Sequence, residues 1–215
     1  MLDENIVARL AADKIVTETF RKLHPEKKNQ VYRASVELFG TYGYDGLAVE
    51  RICRTAGISK GSFFQYFPSK SHLLEFTVLV FDDYLARWIA EIRHRETVVL
   101  ARDRLRYLFE AVVVNARLHQ SEKRFYLFVT DAASHAGITI EGVELERHFH
   151  QYVSDIIQRG AVTGEIRNDF DPDLTSYLVS ILIEGLVGRQ YGRSQIHLKQ
   201  GGDYLISFLF DGISA

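Results

Sequence analysis

Proline constrains this chain most, because there is so little of it. Pro25, Pro68 and Pro172 are the only three in 215 residues, and each stands where an apolar helical periodicity starts or stops. Between them apolar residues recur at spacings of three and four. No stretch alternates like a strand bounded by hairpin turns, and no repeat or low-complexity tract interrupts the pattern. The chain reads as all-α.

Ile6, Val7, Leu10, Ala11, Ile15, Val16 and Phe20 predict one helix over residues 3–23. Pro25 ends it and opens a second over about 26–41, with Val31, Ala34, Leu38 and Phe39 on its apolar face. The glycine-rich GTYGYDG (Gly40–Gly46) separates this from a short helix over about 48–56. Gly57 supplies the left-handed residue that closes it. Ser59 caps another short helix, 59–67, and Pro68 and Ser69 lead into a long one reaching about residue 94. Further amphipathic segments cover 101–119, the region of Phe125 and Phe128, and about 140–159. The last two, about 172–192 and 201–213, are apolar nearly all round. At the outer end of a chain that pattern points to a partner subunit.

Composition removes several classes of function. A chain with 47% hydrophobic and 25% charged residues can bury a large core without staples. The single Cys53 cannot close an intramolecular disulfide, so a reducing, cytoplasmic setting is expected. MLDENIVARLAADK is a poor secretion signal, and no apolar run reaches the roughly 18 residues of a membrane span. There is no nucleophile motif, metal-ligand cluster or phosphate loop, so neither an enzyme nor a cofactor is expected. His148 and His150 are two apart and would point away from each other on a helix. Net charge is −2, but residues 25–75 hold seven Lys/Arg against five acids, while residues 76–215 hold fifteen against nineteen. That mild asymmetry fits an early segment facing an anion.

The segment AGISKGSFFQYFPSK (Ala56–Lys70) gives that anion a chemistry. Two short helices joined by the turn Ala56-Gly57-Ile58 make a helix-turn-helix. Phe63 and Phe67, four apart, share the inward face. Gly61 and Gln65 then face outward, flanked by Lys60, Ser62, Phe64 and Tyr66. Gly61 lets the backbone approach a groove wall, and Gln65 offers the donor and acceptor that read adenine N6 and N7. Ser62 and Tyr66 can donate to phosphate oxygens, Lys60 and Lys70 can neutralise them, and Ser69-Lys70 open a helix whose first N–H groups are free. Short helix pairs also occur in all-α proteins that never meet DNA.

The window VYRASVELFGTYGYDGLAVERICRTAGISKGSFFQYFPSKSHLL (Val31–Leu74) resembles the DNA-binding domain of TetR-family transcriptional regulators. The likeness rests on Ala34, Leu38, Phe39, Gly43, Tyr44, Val49, Ile52, the run Ala56–Ser62, Tyr66-Phe67, Ser69-Lys70 and Leu73-Leu74. It implies a three-helix helix-turn-helix domain over 25–72 and a helical effector-binding and dimerisation domain over 73–215, with residues 1–24 as an extra helix. Ala48 stands where the family often has Thr, Phe64 where Tyr is common, and Pro68 where Lys is frequent. Arg9, Lys14, Arg21 and Lys22 are cancelled by Asp3, Glu4, Asp13 and Glu18, so the extra helix is read as a packing element rather than a DNA-tracking arm.

The implied function is a homodimeric, sequence-specific repressor of an inverted-repeat operator in double-stranded DNA, released by a small-molecule effector. The alternative is an architectural DNA binder without sequence preference. The dimer seam is expected at Leu178, Ile181, Leu182, Gly185, Gly188, Gly192, Tyr204, Leu205 and Phe208. The effector pocket is expected among Trp88, Tyr107, Phe109, Phe128, Tyr152 and Tyr177, with Arg117, His119 or Glu184 as polar contacts. The same aromatic spacing also describes plain core.

Overall fold

The computed structural model describes residues 2–135, 143, 145–167, 169–189 and 195–213. Among these the helical periodicity is realised as eleven α-helices: α1 Glu4–Ala12, α2 Glu18–Arg21, α3 Pro25–Tyr42, α4 Val49–Thr55, α5 Lys60–Tyr66, α6 Lys70–Arg95, α7 Ala101–Leu118, α8 Gln120–His135, α9 Leu145–Thr163, α10 Pro172–Arg189 and α11 Gln195–Ile213. Pro25 occupies the first turn of α3, where its missing N–H costs nothing. Gly43 ends that helix at φ +67°, backbone that a side chain resists.

The single helix expected over 3–23 is instead two. Lys14 adopts φ +62°, a left-handed conformation unusual for a residue with a Cβ. The N–H groups of Ile15 and Val16 both donate to the Leu10 carbonyl, at 3.0 and 3.2 Å. Thr17 then starts α2 by accepting from the Phe20 N–H at 3.2 Å. Breaking the helix lets Ile6, Val7, Leu10, Ile15, Val16 and Phe20 all be buried, more than one straight stripe could bring inward.

Two compact units result, one of residues 1–84 with 120–143, the other of 85–119 with 144–215. In the first unit α1 and α2 are anchored on α3. The Lys28 ammonium, almost fully buried, donates to the Glu4 carboxylate at 2.5 Å and to the Arg21 carbonyl at 3.1 Å. The Leu2 N–H donates to the Asn29 side chain at 2.9 Å. On another side of the same unit α8 packs on α3. Phe125 is buried there, with its ring edge-on to Phe81 at 5.2 Å.

In the second unit α7, α9, α10 and α11 close around Leu105, Leu108, Phe109, Val153, Ile156 and Ile183. Arg104 lies on the buried face of α7, at 6% exposure. Its guanidinium donates to Glu96 at 2.8 Å and to Asp155 at 3.2 Å. Burial works against that charge, yet the two carboxylates outweigh it and hold the guanidinium above its ordinary range.

Gly40 records how closely α8 approaches α3. A Cβ there would stand 2.7 Å from the Phe125 backbone nitrogen, and backbone cannot rotate aside. Alanine normally favours a helix interior over glycine by about 0.8–1 kcal/mol. Gly40→Ala should nevertheless lower stability, by about 1–3 kcal/mol, in chemical denaturation. A gain in stability would show the approach to be looser than described.

Candidate nucleic-acid interface

The short helix α5 is too brief to be stable alone, so its orientation is imposed by what it buries. Phe63 and Phe67 are both fully buried. Phe67 lies 4.9 Å from Phe20, 5.5 Å from Phe76 and 5.8 Å from Phe63, centroid to centroid. The turn before α5 uses Gly57 at φ +59°, with the Ile58 N–H reaching the Cys53 carbonyl at 2.9 Å. Ser59 caps α5 by accepting from the Ser62 N–H at 2.9 Å, and its hydroxyl meets that of Ser62 at 2.8 Å. Ala48, at the N-cap of α4, provides no such bond.

With the aromatic face inward, Lys60, Gly61, Phe64 and Gln65 are exposed, and Ser62 and Tyr66 are half-buried. Phe64 is 52% exposed and braced edge-on against Phe63 at 5.1 Å. Nothing but the Ser59 hydroxyl, at 3.7 Å, lies near a Cβ placed on Gly61. One side of α5 therefore offers a bare backbone position, an amide and an aromatic ring to whatever approaches.

The cations are arranged otherwise than the sequence reading expects. Lys70 does not reach outward. Its ammonium donates to the carbonyls of Tyr44 at 2.7 Å and Leu47 at 3.0 Å, and sits 4.1 Å over the Tyr44 ring. Lys27 closes the helix-turn-helix turn by donating to Ala56 and Gly57 carbonyls at 3.2 and 2.8 Å. Lys60 pairs with Glu50 at 2.6 Å across the outer face. Their mutual hydrogen bond lowers the Glu50 pKa and raises that of Lys60. Every lysine of residues 25–75 thus has a partner inside the protein, while Arg33 and Arg54 stand exposed. Ser69 is turned to its own helix, meeting the Ser71 hydroxyl at 2.6 Å and His72 Nδ1 at 2.8 Å.

Thr17 is the contributor that sequence reasoning missed. It hydrogen-bonds the Gln65 and Tyr66 carbonyls at the end of α5, at 2.5 and 3.0 Å. The available signal was Thr-x-x-Phe after a polar Asp-Lys step, a helix start inside what reads as one helix.

The comparisons agree with this geometry. The family model described as bacterial regulatory proteins, tetR family, matches residues 31–76, the segment containing α4, the turn and α5. Over this segment the chain is similar to the DNA-binding part of TetR-family regulators. Among curated relatives, the HTH-type transcriptional repressor AcnR of Corynebacterium diphtheriae is 24% identical over 177 residues, covering 82% of this chain and 83% of AcnR. Among solved structures, a TetR transcriptional regulator from Chloroflexus aurantiacus J-10-FL aligns with a TM-score of 0.69 at 20% identity, covering 88% and 96% of the two chains. The transcriptional regulator FadR from Bacillus subtilis, solved in complex with stearoyl-CoA, aligns at 0.69 and 18%, covering 86% and 99%.

The residues expected at the seam are split between exposed and buried positions. Tyr177, Leu178, Ile181 and Leu182 of α10 and Tyr204 and Phe208 of α11 are exposed, from 41% to 78%. The opposite face of α10 buries Val179, Ile183 and Val187. Leu205 departs from the expectation: it is buried in the core of its own unit. Gly185 has open space above it. Gly188 lies in α10, and Gly192 lies outside the described residues.

The expected pocket residues are distributed over both units. Phe109 and Tyr152 belong to the packed core of the second unit, with Trp88 and Tyr107 against it. Phe109 lies so close to Gly202 that a Cβ there would stand 2.2 Å from its ring. Burial, with Glu96 beside it, pushes the Tyr152 hydroxyl far above its ordinary range. Tyr177 is exposed, 6.3 Å from His150. Phe128 is in the first unit, stacked on Phe39 at 6.3 Å. Arg117 and His119 are exposed, and Glu184 is half-buried.

Lys70→Ala separates a structural ammonium from a phosphate-bound one. Losing the bonds to Tyr44 and Leu47 should cost about 1–3 kcal/mol in denaturant unfolding. The salt dependence of DNA binding should stay unchanged. A slope smaller by about one unit, with stability intact, would return Lys70 to the phosphates.

Proposed function

We propose that this chain is a dimeric, sequence-specific DNA-binding transcriptional regulator, a repressor released by a small-molecule effector. The observation that carries the reading is the two-sidedness of α5: Phe63 and Phe67 fully buried, Gly61 and Gln65 open to solvent. A helix held in that way can enter the major groove, with Gly61 allowing close approach and Gln65 reading an adenine edge. Lys60, Ser62, Phe64 and Tyr66 flank that contact. Lys60 reaches a phosphate by exchanging Glu50 for it, and Ser69 and Lys70 set the start of the next helix.

A single short helix contacts too few bases for useful selectivity, and two copies reading an inverted repeat solve this. The exposed apolar faces of α10 and α11 supply a surface that a second copy would cover, as an isologous four-helix seam. Within this reading Leu178, Ile181, Leu182, Gly185, Tyr204 and Phe208 form the seam. AcnR is named a repressor and FadR was solved with an acyl-CoA, which supports repression relieved by a ligand. Trp88 and Tyr107, at the edge of the second unit's core, are the first places to look for effector contact. Release by a ligand requires that it favour a conformer with misspaced reading heads, and α6, covalently part of both units, is the element that would carry the change. Partnered lysines disfavour an architectural binder, which needs free charge above all.

Selection of bound duplexes from a random pool should return an inverted repeat. Affinity for it should exceed that for random DNA by at least about 10³-fold. Gln65→Ala should cost about 1–3 kcal/mol on the selected site and relax preference at one position per half-site. Equal loss on selected and random DNA would remove Gln65 from the reading role. Leu178→Asp, placing a charge in the seam, should yield a monomer in sedimentation and lose the selected site. A dimer that persists would move the seam elsewhere.

A further inference from the structure

The end of α5 has an unusual requirement. The last carbonyls of a helix have no partner within it and are met by the following backbone, by side chains or by water. Here the Phe67 N–H turns back to the Phe63 carbonyl at 2.9 Å. The next residue, Pro68, has no N–H to give. Phe67 itself is extended, at φ −130° and ψ 132°, so no glycine-type cap forms. The Gln65 and Tyr66 carbonyls are met from a segment 48 residues earlier in the chain: the Thr17 hydroxyl donates to Gln65 at 2.5 Å, and the Thr17 N–H donates to Tyr66 at 3.0 Å.

Thr17 is itself fixed. Its Oγ1 also accepts from the Phe20 N–H at 3.2 Å, as the cap of α2. Phe20 packs on Phe67 at 4.9 Å and on Tyr66 at 5.9 Å. The turn before it is held by the two bonds to Leu10 and by buried Ile15 and Val16. Through Glu4 on Lys28 and Leu2 on Asn29, the same segment is tied to α3. A chain of bonds and buried rings therefore runs from α3, through α1 and α2, to the backbone of the residue whose side chain faces outward from α5.

We infer that Thr17 is a positioning residue for base reading: its hydroxyl fixes the backbone at Gln65, and the segment before Pro25 exists in this chain to deliver it. The inference rests on the proposed role of α5 in reading DNA. The buried rings set the face of α5; the hydroxyl, held by the Phe20 N–H and bonded to the Gln65 carbonyl, fixes the last turn, so its loss degrades discrimination between sequences. Attraction to the phosphate backbone survives.

The test uses the full chain and the duplex obtained by selection. Wild type must first discriminate it from random DNA; if it does not, the DNA-reading proposal fails and Thr17 is not yet at issue. Given that discrimination, Thr17→Val, which keeps the shape and the N–H but removes the hydroxyl, should lower the ratio of selected to random affinity by about tenfold, the scale of one hydrogen bond. Random-DNA affinity and its salt slope should be unchanged. Thr17→Ser, which keeps the hydroxyl, should restore the ratio to within about twofold. A ratio unchanged in Thr17→Val overturns the inference. So does parallel loss on both DNAs, or failure of Thr17→Ser to rescue. Amide exchange in wild type gives a readout independent of either variant. The Thr17 N–H should be strongly protected in the complex with the selected duplex, and free exchange there overturns the inference equally.

Discussion

The contact among Phe20, Phe63, Phe67 and Phe76 decides which way α5 faces, and the rest of the interface follows from it. Three of these rings are supplied by different helices, and the fourth, Phe67, sits at the residue where α5 stops. All four are fully buried. A helix of seven residues has no stability of its own to spend on orientation, so the knot supplies it. Burying Phe63 and Phe67 forces Gly61 and Gln65 to the other side. Because Phe20 belongs to α2, the segment before Pro25 is a structural part of the unit that carries α5, and removing it would leave the knot one ring short.

The arrangement of charge carries a second lesson. Counting lysines over residues 25–75 suggests a positively charged head, but the folded head uses its lysines to satisfy carbonyls and carboxylates. Lys27 and Lys70 each close a backbone turn that short helices leave open, and Lys28 is sealed against Glu4. An ammonium with three donors serves such a site well.

Much of this was legible in the sequence and some was not, for identifiable reasons. The helix-turn-helix was readable because Gly57, Ser59 and Pro68 mark its boundaries by backbone chemistry, and because Phe63 and Phe67 fix a face by spacing alone. The break at Lys14 was masked because the apolar spacing continues across it, and only the Thr17 cap three residues on marks the new start. The burial of Leu205 within its own unit was not readable, because a helix apolar all round does not say which side meets its own core. Phe128 shares the aromatic character of the second unit's residues but lies in the first, and only the pairing of α8 with α3 reveals that. The role of Lys70 could not be read from its type, because the carbonyls it serves are brought beside it by folding.

The account stands on α5 as a surface that meets bases, and site-specific photo-crosslinking tests this most directly. A photoreactive phenylalanine analogue at Phe64, exposed and braced by Phe63, should capture the selected duplex at two base positions related by the inverted repeat, one from each copy of the chain. Cross-links confined to protein, or scattered along the DNA without reference to the repeat, would contradict it.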